Sequence, residues 1–106
     1  MSLRVLLFPR ANADLKKQYA WYLKHAGAEV AERYFAEFDA TVATLALHSG
    51  LGPLGRFQDV HLAGIRSYPF KKPFDKHLIF HRADSTTLTI VRVLHGARDL
   101  PRRLLE

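Results

Sequence analysis

Apolar and polar positions along the chain change period several times, and each change marks an element. Leu3 to Phe8 is a short apolar run broken by one arginine and closed by Pro9. Its length and the proline predict a strand. Asn12 or Asp14 can then cap a helix. Leu15, Tyr19, Tyr22, Leu23 and Ala26 follow at spacings of three and four, with Lys16, Lys17 and Lys24 on the other side. That is the stripe of an amphipathic helix. Gly27 suits its end, because glycine tolerates the left-handed backbone found there. A second stripe follows at once, through Val30, Ala31, Tyr34, Phe35, Phe38, Val42 and Leu45, and Ser49-Gly50 closes it. Two helices with so short a link fold back on each other.

Residues 50–64 hold four glycines and a proline and read as a long loop. Gly50, Gly52 and Gly55 match GxGxxG loosely. No strand precedes them and no helix follows, so the dinucleotide-binding reading is set aside. Three strand patterns come next: Ile65–Phe70, which Pro69 marks as an edge, Lys76–Ala83 and Leu88–His95. Asp84 to Thr87 is polar and turn-forming, so the last two strands pair as a hairpin. Gly96 ends the last strand, and residues 97–106 form a short tail or helix.

The expected fold is α+β, in the order β-α-α-β-β-β. A helical hairpin packs on one face of a small antiparallel sheet, in a single domain spanning 1–106. Phe35, Phe38, Leu45, Phe80 and Ile90 are expected in the core. The last strand complicates this picture. Strict alternation puts Leu88, Ile90, Arg92 and Leu94 on one face and Thr89, Val91, Val93 and His95 on the other, and both faces are largely apolar. One helical layer covers one face. The tail or a partner is expected on the second.

Composition narrows the function. There is no cysteine, which excludes a disulfide framework and thiolate metal sites. No apolar run approaches the ~18 residues of a membrane span, and the N-terminus lacks the pattern of a signal peptide. A cytoplasmic protein without membrane association is expected. The net charge is +6, and residues 54–106 carry ten basic and five acidic side chains. One-sided positive charge points to an anionic partner. Arg66, Arg82, Arg92, His95 and Arg98 come from neighbouring strands and the tail, and form the candidate target- or anion-binding set. Arginines suit phosphate, and a histidine adds acid–base capacity. No metal is expected. His77 and His81 stand about 13 Å apart along a strand, too far to share an ion.

Several segments resemble a known family. They are Asp14-Leu15, Gly64-Ile65-Arg66, His77-Leu78-Ile79-Phe80-His81-Arg82, and Ile90-Val91-Arg92-Val93-Leu94-His95-Gly96-Ala97-Arg98-Asp99-Leu100. In this order they resemble the RelE/ParE toxins of bacterial type II toxin–antitoxin (plasmid stabilization) modules. The last segment is closest to the ParE-like branch. The resemblance implies a toxin without a cofactor, held inactive by an antitoxin from the adjacent gene, whose arm would cover the open sheet face. It implies DNA gyrase as the target, inhibited by binding. The alternative within the family is a RelE-like endoribonuclease that cleaves mRNA on the ribosome, using Arg66, Arg82, Arg92 and His95. Many such nucleases carry a tyrosine or histidine near the C-terminal end; His95 falls near such a position, and the tail after it has no tyrosine. A non-toxic binding module on the same scaffold is the third reading.

Overall fold

The computed structural model describes residues 2–96 and 100–105. Its elements are β1 (Arg4–Leu7), α1 (Pro9–Ala26), α2 (Ala28–Leu47), a 3-10 turn (Val60–Leu62), β2 (Arg66–Pro69), β3 (His77–Ala83), β4 (Thr87–His95) and α3 (Leu100–Leu105). The class is α+β, with the two long helices packed on a four-stranded sheet of order β1-β4-β3-β2. β2, β3 and β4 are antiparallel neighbours, as expected. β1 instead runs parallel to β4, Arg4 facing Thr87 and Leu7 facing Ile90, so the sheet is mixed. The reason lies in connectivity. The helical hairpin returns the chain to the end of the sheet where β1 began, and β2 and β3 then reverse it twice.

Helix α1 starts earlier than Asn12 or Asp14. Pro9 occupies its first turn, where a fixed φ and a missing N–H cost nothing. Phe8 serves both elements: its N–H donates to the Ile90 carbonyl (3.0 Å), and its own carbonyl accepts from Asn12 N–H (3.0 Å). One residue, Gly27, joins the helices. Its φ of +95° lets the chain reverse while its N–H donates to the Tyr22 carbonyl. The hairpin closes on aromatic contacts, Tyr19 stacked on Phe35 at 4.7 Å and Tyr22 tilted against Tyr34 at 5.2 Å. Ala11 and Leu15 are the buried residues of α1, while Leu23 and Ala26 face solvent. The inward stripe is therefore narrower than the sequence pattern suggests.

Phe38, Leu45, Phe80 and Ile90 are buried as expected, and Phe35 is half-buried. The core lies in two layers. Tyr34, Phe38, Leu45, Phe70, Ile79, Leu88, Ile90 and Val93 fill the space between helices and sheet. Leu62, Ile65, Phe80, Val91, Leu94 and Leu104 pack beneath the sheet. The second face is thus covered by the 3-10 turn and by α3.

The alternation expected in β4 fails at one point. Opposite β3 the register shifts between Phe80 and His81. Phe80 faces Arg92 and His81 faces Ile90, which leaves Val91 as the extra residue of a β-bulge. Leu88, Ile90 and Val93 consequently pack toward the helices, and Val91 and Leu94 toward the underside. Both faces of the strand are apolar because its phase flips at the bulge.

Candidate functional site

Arg92 sits beside the bulge. Its Nε and Nη2 donate to the two carboxylate oxygens of Asp14 (2.7 and 2.9 Å), and its Nη1 donates to the Arg103 carbonyl in α3. Both side chains of the pair are mostly buried, at 12% and 13% exposure. Asp14 Oδ2 also accepts the Val93 N–H at 3.0 Å. One helical turn on, Gln18 Nε2 donates to the Val93 carbonyl at 2.7 Å, and Gln18 Oε1 accepts from the Tyr34 hydroxyl. The spacing of four residues aligns Asp14 and Gln18 on one face of α1. β1 ends at Leu7, and these two side chains satisfy the β4 backbone where a longer β1 would have paired. Burial pushes the Tyr34 phenol well above its ordinary value, with Tyr22 and Asp14 adding to the effect, so it stays a neutral donor.

The other expected residues are dispersed. Arg66 opens β2 opposite His81, and its Nη1 donates to the Gly52 carbonyl at 2.9 Å. Gly52 has φ +87° and lies against β2; a Cβ there would stand 2.0 Å from the Ser67 carbonyl oxygen. Arg82 faces Thr89 across the hairpin, and its Nη1 donates to the His61 carbonyl at 3.1 Å. Arg82 and Arg92 share the wall of an underside cavity of about 510 Å³ with Arg10, His61, Leu62 and Leu104. Arg66 stands apart from it. His95 lines a different groove, on the helix side, with Arg92 as the common member. Arg98 lies outside the described residues. The structure therefore brings the arginines of β3 and β4 to one cavity and places His95 outside it, in a groove that shares only Arg92.

His95 instead faces His77 across β3 and β4, with ring centroids 4.9 Å apart. His77 is buried among the rings of Tyr22, Tyr34 and Phe70, and its Nε2 lies 2.8 Å from the Tyr22 hydroxyl. Burial, reinforced by His95, pushes its pKa down to about 4, so the imidazole is neutral near pH 7. His81 is buried too. Its pKa is lowered mainly by burial, an effect the Leu51 backbone opposes and the Arg66 charge strengthens. Among the described residues no group of three His, Asp or Glu side chains is arranged to hold a metal ion, and no helix is long and apolar enough to cross a membrane.

Sequence reasoning missed Asp14 as a partner of Arg92, Gln18, His61, and the pairing of His77 with His95. A lone arginine within the apolar run of β4 was the available signal. Such a charge needs an acidic partner, and Asp14 is the acid on the inner face of α1.

The domain is thus an α+β fold, a helical hairpin on a four-stranded mixed sheet with an arginine-lined cavity on its underside. The chain belongs to the ParE toxins of type II toxin–antitoxin systems (parDE), whose family model matches residues 5–100. Among solved structures it is similar to a chain of the chromosomal ParDE toxin–antitoxin system from P. aeruginosa. The TM-score is 0.73 at 18% identity, over 91% of this chain and 98% of that one. No curated protein matches the chain by sequence.

Proposed function

We propose that this ParE-type toxin acts by binding DNA gyrase and carries out no bond-breaking step itself, and that a cognate antitoxin keeps it inactive. The observation that supports binding over nuclease chemistry is the state of Arg92. Stabilising a phosphorane-like charge needs donors aimed at one point. Arg92 is committed to Asp14 and the Arg103 carbonyl, Arg82 donates to His61 and Arg66 to Gly52. His95, the proton carrier of the nuclease reading, lines a groove that contains neither Arg66 nor Arg82. Family membership supports gyrase as the target.

The antitoxin's arm is expected to be acidic, because the toxin carries +6. Its binding weakens as salt screens that attraction.

The deciding experiment runs the purified toxin in two assays. With gyrase and supercoiled plasmid, the expected result is accumulation of cleaved DNA complexes, unchanged in His95→Ala. With ribosomes and a bound mRNA, the message stays intact. Cleavage of ribosome-bound mRNA by the wild type, lost in His95→Ala, would overturn the reading in favour of the endoribonuclease.

A further inference from the structure

Helix α1 presents a second surface beyond its contacts with the β4 bulge. Lys17, Trp21 and Tyr22 of α1 face His77, Leu94 and His95 of the sheet across a groove of about 650 Å³. That size lies in the ~300–1,000 Å³ range of small-molecule sites. Trp21 is 57% exposed, unusual for the largest apolar side chain of a domain this small. Its indole is propped from two sides. His25 lies at 4.6 Å, tilted 36°, and Tyr22 stands edge-on at 5.3 Å. The electrostatics are one-sided. The groove's carboxylate, Asp14, is already bound by Arg92 and the Val93 N–H. Lys17 makes no ion pair among the described residues, and His95 is exposed at the rim.

We propose that this groove binds a nucleotide, with the base on the Trp21 indole and the phosphate against Lys17 and His95. The ligand chemistry is a nucleoside phosphate, either free or as a unit of a single strand. A flat aromatic ring beside a lysine without an ion pair among the described residues and an exposed imidazole matches a ligand with both a π face and an anionic group. An acidic peptide would use the lysine and leave the indole exposed. The proposal goes beyond the gyrase reading and does not depend on it, since no contact with gyrase enters the argument.

Trp21 is the chain's single tryptophan, so its fluorescence reports on this groove alone. The full chain is titrated with uridine 5′-monophosphate, uridine, inorganic phosphate, a uridine octanucleotide and hexaglutamate. Saturable quenching is expected from the monophosphate or the octamer, with much weaker responses to uridine and phosphate. Lys17→Glu, at an exposed position, is expected to keep the circular dichroism spectrum and weaken binding at least about tenfold. Trp21→Leu is expected to remove the binding heat in calorimetry. An octamer that binds at least about tenfold more tightly than the monophosphate assigns the site to a nucleic-acid strand, and comparable affinities assign it to a free nucleotide. The proposal is overturned if neither nucleotide ligand quenches saturably, if Lys17→Glu binds as tightly as wild type, or if hexaglutamate quenches equally well.

Discussion

Two side chains concentrate the energetic consequences at the residue scale. Asp14 neutralises Arg92 and accepts the Val93 N–H at once. Asp14→Ala removes the carboxylate that pairs with a mostly buried guanidinium, and the expected loss is about 3–5 kcal/mol by urea unfolding. Asp14→Asn retains an acceptor for the amide and is expected to cost less. Equal losses in the two variants would mean that the amide contact contributes nothing. His77 governs the acid response. An unfolded imidazole titrates near 6.5, while the folded one is pushed down to about 4. Between those values the unfolded chain binds the extra proton. Stability is therefore intact above about pH 6.5 and falls as the pH drops toward 4, by about 1–3 kcal/mol. His77→Phe, which cannot titrate, flattens this dependence. An unchanged slope in urea midpoints between pH 7 and pH 4.5 would show that another group is responsible.

At the scale of elements, the hairpin is held to the sheet by aromatic side chains from α2. Phe38 is buried and lies 6.1 Å from Phe70, ring to ring. Phe38→Ala is expected to cost about 3–5 kcal/mol, a large share of the ~5–15 kcal/mol available to a domain. A change below about 1 kcal/mol would contradict the packing. The helices are legible from sequence because each obeys a single period over many residues, and the β3–β4 hairpin because two apolar runs flank a polar, turn-forming segment. Asp84 also marks the turn, accepting from the amides of Thr86 and Thr87 at 2.8 Å. The parallel pairing of β1 is not legible, since a four-residue strand carries no signal of direction. The bulge at Val91 is equally silent, because two apolar residues side by side fit either phase of a strand. The candidate site was harder still. Arg82 and Arg92 do share a cavity, but the separation of His95 from it follows from strand faces and register, and the sequence contains those only indirectly.

For the whole molecule, the underside of the sheet is the sensitive surface. Leu104 of α3 is buried there against Leu62, Ile65, Phe80, Val91 and Leu94. Truncation before Leu100 removes that cover and the carbonyl that Arg92 contacts. The expected result is a chain that retains its sheet by circular dichroism, loses about 2–4 kcal/mol, binds a hydrophobic dye and is no longer toxic. A truncated chain as toxic as wild type would remove α3 from the functional surface.

The parallel strand pair also sets the order in which the molecule can assemble. Arg4 finds its partner only at Thr87, so residues 5–86 of the 106 lie inside the loop that this contact closes. The two hairpins, α1 with α2 and β3 with β4, join neighbours in sequence and can form early. Closing the long loop carries the greater entropic cost and slows folding. β1, made before the other three strands described, is thus among the last to be docked. Until β4 is made, β1 has no partner, Asp14 has no arginine and Gln18 has no carbonyl to bind. A chain synthesised only as far as β3 therefore lacks the finished sheet and the surface built on it.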